Sequence, residues 1–158
     1  MSFGDYFVDI SIRWSDMDAY RHVNNVQFVR LLEEARVYAL RDWFSHDRNL
    51  IDDGLLVARQ EIDYLAPLNF NYQPARIRVW CSRISGASFD LGYAVQQPDN
   101  DVTYALAEVT LVAYNLNEGT PGGWARPSVK PSGPGWGSPP RCAAAPVRVV
   151  QRKGPRES

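Results

Sequence analysis

One stretch of the chain carries the period of a long amphipathic helix, and the rest of its patterned length carries the period of strands. Phe28, Leu32, Ala35, Ala39 and Trp43 recur at helical spacing with Val29, Arg36 and Leu40 alongside, while Arg30, Glu33, Glu34, Arg41 and Asp42 fall largely elsewhere. A helix of about 20 residues is ~30 Å long. Its aromatic and aliphatic stripe reads as a core face rather than a cofactor box. Ahead of it, residues 5 to 14 alternate, with Tyr6, Val8, Ile10, Ile12 and Trp14 on one face and Asp9, Ser11 and Arg13 on the other, as a half-buried strand does. Behind it come four strand-like runs, Leu55 to Leu65, Ala75 to Ile84, Ser88 to Gln96 and Val102 to Tyr114. Breaks between them fall at Pro67 to Pro74, at Gly86 and at Gln97 to Asp101. The last run is apolar on both faces, which places it inside a sheet rather than at an edge. One strand, one long helix and four strands is an α+β order, in which an antiparallel sheet of about five strands wraps a single helix.

At 158 residues and 45% hydrophobic content the chain is long enough for one domain with a real core. Its charge is uneven. Residues 1–118 carry ten basic and seventeen acidic side chains, a net −7, whereas residues 119–158 carry seven basic and one acidic, a net +6. An acidic body argues against nucleic acid as the main partner. From Gly119 onward fifteen of forty residues are Gly or Pro, and neither helical nor strand period survives. The division expected is a folded domain over 1–118 and a disordered basic tail over 119–158. Cys81 and Cys142 are the two cysteines, far apart and unframed, as in a reducing cytoplasm. No apolar run approaches the ~20 residues of a membrane span, and no basic-then-apolar leader opens the sequence. A soluble, cytoplasmic protein with no membrane partner is expected.

The chemistry concentrates just ahead of the helix. Asp16, Asp18, His22, Asn24 and Asn25 lie within about ten residues, in a polar loop that runs straight into the helical pattern at Val23 to Val26. A helix start has backbone N–H groups without partners and a partial positive charge, so it can stabilise an oxygen that becomes negative during reaction. A nearby carboxylate would complete half of an acyl-transfer site. The same residues also suit a purely structural helix start, with the aspartates complementing the dipole, Asn24 or Asn25 as N-cap and His22 in a turn. Other chemistries find no support: there is no Gly-x-Ser-x-Gly elbow, P-loop or Rossmann glycine pattern, and His22 and His46 alone do not make a metal site. Cys81, inside an apolar alternation with Ile77 and Val79, reads as a buried structural thiol.

The run Asp18, Ala19, Tyr20, Arg21, His22, Val23, Asn24, Asn25 resembles the Asp-x-x-Gly-His-Val-Asn-Asn signature of hotdog-fold acyl-CoA thioesterases of the 4-hydroxybenzoyl-CoA thioesterase-like family. Leu32, Glu33, Glu34, Ala35 and Arg36 resemble the family's Glu-x-Ala-Arg ending, and weaker matches fall at Tyr64, Pro67, Leu68, Gly86 and Ser88. Two departures stand out. Arg21 occupies the usual glycine position, where a positive φ would strain it, and Phe28 replaces a frequent tyrosine.

The resemblance implies a hotdog fold, an acyl-CoA substrate, no separate cofactor, and a homodimer or homotetramer with active sites at shared interfaces. Its register selects Asp18, four residues before His22, as general base on water or as nucleophile. Backbone N–H groups near Val23, Asn24 and Asn25 are the expected donors to the thioester oxygen, with Asn25 orienting water or acyl group and His22 holding the loop. Arg76, Arg78 and Arg83 on one run could meet coenzyme A phosphates, since a guanidinium binds two oxygens at once; Arg83 and Ser88 are preferred. The alternative is a hotdog module that binds acyl-CoA without hydrolysing it.

Overall fold

A computed structural model of the chain describes residues 4–44, 54–115 and 118–121. Five antiparallel strands form one sheet behind a single long helix. In chain order the elements are β1 (Tyr6–Ile10), a 3-10 turn (Trp14–Asp16), α1 (Asn25–Trp43), β2 (Leu55–Tyr64), β3 (Ala75–Ser85), β4 (Ser88–Gln97), β5 (Asn100–Asn115) and the short β6 (Thr120–Pro121). The sheet order is β1-β3-β4-β5-β2, with β6 attached to β5. β5 is an interior strand, as its two apolar faces require. β1 and β2 are the edges, and β2 presents Leu56 and Val57 half-exposed there. His46 and nearly all of the expected tail lie outside the described residues.

The helix starts at Asn25 because Asn24, in extended conformation, turns its side-chain oxygen onto the Val26 N–H at 2.9 Å. Phe28, Leu31, Leu32, Ala35, Ala39 and Leu40 are buried against the sheet, with the closest strand packing on β1 and β3. The stripe is rotated slightly from the one read by spacing: Leu31 is fully buried and Val29 is 39% exposed. Opposite it, alternate residues Ala75, Ile77, Val79 and Cys81 of β3 and Leu91, Tyr93 and Val95 of β4 complete the core. Each fully buried aliphatic side chain contributes on the order of 2 kcal/mol. Cys81 is buried, in keeping with a structural thiol.

The first strand is shorter than its alternation suggests. β1 ends at Ile10 and the chain bends into the 3-10 turn, so Trp14 does not share the buried face with Ile10 and Ile12 but is 74% exposed. The cause is Asp16, whose carboxylate draws the backbone N–H of Arg13 to 2.8 Å and closes the turn. On the outer face, Trp80 of β3 lies flat across Gly92 of β4, where an added Cβ would fall 2.3 Å from the indole. Only glycine admits that contact.

Candidate active site

Asp16 holds the motif loop to the helix. It is 1% exposed, and its carboxylate takes the Arg13 guanidinium at 3.0 Å and the Arg30 guanidinium at 2.8 Å. Arg30 continues to Gln27 at 2.9 Å and Glu34 at 2.6 Å along the helix. The Asp16 carbonyl accepts the Asn24 N–H at 2.9 Å. Burial alone would raise the Asp16 pKa, but the hydrogen bonds from Arg13 and the charges of Arg30 and Arg13 outweigh it, leaving the carboxyl below its ordinary value.

Two residues on, Asp18 shapes a tight turn. Met17 and Val23 form an antiparallel bridge, and between them the Asp18 N–H meets the His22 carbonyl at 2.8 Å. Asp18 Oδ1 accepts the Tyr20 N–H at 2.8 Å and the His22 N–H at 3.3 Å. Its Oδ2 has no hydrogen-bond partner among the described residues, and the side chain is partly exposed. Arg21, exposed, sits at φ 64°, the left-handed conformation that glycine adopts freely. The turn is kept and the arginine bears the strain.

The helix-start amides are not equivalent. The Val23 N–H is taken by the Leu68 carbonyl at 2.7 Å, the Asn24 N–H by Asp16, and the Val26 N–H by the Asn24 side chain. The expectation of several donors near Val23, Asn24 and Asn25 therefore narrows: Val23 and Asn24 amides tie the loop to its surroundings, and the Asn25 N–H alone of the three has no acceptor among the described residues. Asn25 and His22 side chains are exposed, and His22 holds the loop through its main chain.

Beside Asn25 stands Tyr64, at the end of β2. Its hydroxyl donates to the Asn25 carbonyl at 3.4 Å, and its ring meets Phe28 edge-on at 5.3 Å. Burial pushes its pKa up. A hydroxyl therefore reaches the helix start from β2, although Phe28 has none. Leu68 and Tyr64 are partners of the helix start that spacing within the motif could not reveal, because they arrive from about 40 residues away; the weak Tyr64, Pro67, Leu68 match was their trace in the sequence.

Arg83 and Ser88 do not join this cluster. Arg83 pairs with Asp90 at 2.9 Å, and the Ser88 hydroxyl closes its own hairpin on the Ser85 carbonyl at 3.0 Å. Ser88 stands opposite Val112, which stands opposite Leu56, whereas Tyr64 is eight residues further along β2. That separation is about 27 Å along the strand. Arg76 and Arg78 are paired to Asp9 and Asp5 across β1. A cavity of about 290 Å³ opens on the outer sheet face among Glu61, Asp63, Trp80 and Glu108. Three carboxylates on the side away from the helix make it a poor receptacle for an anionic thioester. Among the described residues no three metal-ligating side chains cluster, and no helix is long and apolar enough to cross a membrane.

A family model of the thioesterase-like superfamily matches residues 12–150. The chain belongs to that superfamily. Its match runs past residue 118, where the loss of pattern suggested a boundary. The protein is 26% identical over 121 residues to the uncharacterized protein YsmA of Bacillus subtilis (strain 168), covering 75% of this chain and 79% of that one. Among solved structures it is similar to XC229 of Xanthomonas campestris, described as a "putative acyl-CoA thioesterase", at 28% identity and TM-score 0.60 over 68% of this chain and 91% of that one. It also shares its fold with Slr0204, a 1,4-dihydroxy-2-naphthoyl-CoA thioesterase of Synechocystis, at 21% identity and TM-score 0.64 over 77% and 90% of the two chains. The hotdog fold of this superfamily member is thus the sheet and helix described above.

Proposed function

We propose that this superfamily member hydrolyses an acyl-CoA thioester to a free acid and coenzyme A. The observation that carries the reading is the pairing of two open groups on one loop: the unaccepted Asn25 N–H at the helix start, and Asp18 Oδ2 on the turn before it. The Asn25 amide, backed by the helix dipole, holds the thioester oxygen and stabilises the negative charge it gains. Tyr64, bonded to the Asn25 carbonyl in the next peptide unit, helps to hold the first residue of the helix in place. Asp18 takes a proton from water as the water oxygen bonds to the carbonyl carbon, the tetrahedral centre then collapses with cleavage of the C–S bond, and the thiolate leaves to be protonated as coenzyme A. In the alternative route Asp18 itself attacks, giving an acyl anhydride that water hydrolyses.

The site calls for a second subunit. One chain separates Asp18 from the Arg83 and Ser88 end by the length of β2, but two β2 edges paired antiparallel would bring the hairpin end of one subunit alongside the Tyr64 end of the other. Phosphate contacts from Arg83 or Ser88 would then be made across the homodimer. No cofactor besides the coenzyme A of the substrate enters this scheme.

The test is thiol release from short, long and aromatic acyl-CoAs by the native protein and by Asp18→Asn. Asparagine keeps the Oδ1 acceptor of the turn and puts an uncharged NH2 donor in place of Oδ2, so turnover should fall by at least ~10²-fold without loss of fold. Retention of most activity rejects Asp18. Binding of acyl-CoA with no turnover by the native protein assigns the chain to the binding modules instead.

A further inference from the structure

The outer face of the sheet carries a cavity that the proposed chemistry does not use. Glu61 and Asp63 of β2, Trp80 of β3, and Leu106 and Glu108 of β5 line about 290 Å³ there. Its charge is unbalanced. Glu61 and Glu108 share the Arg59 guanidinium, and Asp63 makes no ion pair among the described residues, so three carboxylates face one cation. Glu61 and Glu108 are exposed, whereas Val109 and Leu111, on the helix side of β5, are buried in the core. The helix side is filled and the outer side is open.

β6 aims the chain along this open face. It pairs antiparallel with β5, Pro121 standing opposite Tyr114, so the chain leaves β6 toward Glu108, six residues and about 20 Å back along β5. It cannot continue within the sheet, because β2 and β4 flank β5 from Val112 to Ala105. Gly122 and Gly123 follow at once, with the backbone freedom to turn the chain out of the sheet plane, and the outer face is the side left open to it. At strand rise Arg126 comes level with Val109 and Lys130 with Ala105, which brackets Leu106 and Glu108 of the cavity. Two residues spent on the climb still leave Lys130 level with Ala107. Both cations precede a proline, Pro127 and Pro131, and a residue before proline favours the extended backbone that this spacing uses.

We propose that residues 124–130 of this chain dock on the outer sheet face, with Arg126 and Lys130 at the carboxylates of Glu61, Asp63 and Glu108. Two cations offset the excess of two carboxylates over Arg59. The Arg126 guanidinium can take two carboxylate oxygens at once, and Lys130 adds a point charge beside it. No acidic residue stands between Glu118 and Glu157 to oppose the approach. The uneven charge of the chain, −7 in the body and +6 beyond it, then belongs to two complementary parts of one fold, and the superfamily match, which runs to residue 150, spans the docking segment.

The experiment is carbodiimide cross-linking of the full chain, which joins a lysine amine to a carboxylate it touches with loss of water, mapped by mass spectrometry. Lys130 should couple to Glu61, Asp63 or Glu108 in preference to Asp42, Asp99 and Asp101, which are exposed elsewhere on the body. Arg126→Glu should lower coupling at Asp63 about fivefold, the upper end for an exposed ion pair, and Glu108→Arg in the same chain should restore it. Coupling that is absent, spread evenly over the body, or unmoved by Arg126→Glu overturns the docking; if the three carboxylates are then also closed to a soluble amine, a second copy covers the face instead. Mixing isotope-labelled with unlabelled chains separates the remaining occupants. Cross-links within one chain sustain the proposal, and cross-links between chains assign the face to the tail of a second copy and overturn it.

Discussion

Asp16 and Asp18 are two residues apart and have opposite surroundings. Asp16 has every oxygen engaged, by Arg13, by Arg30 and by the amide it pulls into the 3-10 turn, and it is sealed from solvent. Asp18 commits one oxygen to its own turn and leaves the other open. Burial with complete pairing makes a carboxylate a structural tie; partial exposure with one free oxygen leaves it able to accept a proton. On the proposed hydrolase reading, the contrast separates stability from chemistry within a span of three residues.

The largest way to break that comparison is to remove the tie. Asp16→Ala removes the buried carboxylate that joins Arg30 to Arg13 and opens the 3-10 turn that it closes on the Arg13 N–H, and should cost about 3 kcal/mol in urea unfolding, the scale of breaking one side of a buried pair. Asp18→Asn should do the reverse, with the ~10²-fold loss of turnover expected above and a stability change within ~0.5 kcal/mol. If both variants lost stability equally, the two carboxylates would share one structural role.

Acid sharpens the same distinction. Because the folded-state pKa of Asp16 lies below its unfolded value near 3.8, its ionised form stabilises the fold above that value, and this contribution is lost as pH falls through the lower, folded pKa. Native protein should therefore lose stability steeply below about pH 4, and Asp16→Asn should flatten that limb of a pH series of urea midpoints. An unchanged limb would mean that other carboxylates set the acid sensitivity.

The scaffold was open to reading because its signals are local. Helical spacing in residues 25–43 and alternation in the strands report directly which face is buried, and both faces of β5 told its interior place. The site was only half open. Asp18, Asn24 and Asn25 were visible in one motif, but which amide stays unaccepted depends on the Leu68 carbonyl and on Asp16, partners fixed by tertiary folding. Trp14 misled because alternation cannot register a side-chain-driven turn. Arg83 and Ser88 stood out by residue type, but spacing could not show that strand register puts them at the other end of the sheet from Asp18 of the same chain.

Arg21 offers the smallest and most local test. It stands in the turn that Asp18 organises, at φ 64°, where a non-glycine residue costs roughly 1–2 kcal/mol. Glycine relieves that strain but loosens the unfolded chain by about 0.4–1 kcal/mol, so Arg21→Gly should stabilise by about 0.5 kcal/mol net. The side chain is exposed and makes no ion pair among the described residues, so its loss subtracts little. Arg21→Ala provides the control, since it deletes the same charge and keeps the strain. A urea midpoint higher in Arg21→Gly than in Arg21→Ala, at equal m-value, assigns the difference to the backbone. Equal midpoints would mean that the Asp18 contacts to Tyr20 and His22 dictate the turn without strain at residue 21, and that the open carboxylate is held in place by those bonds alone.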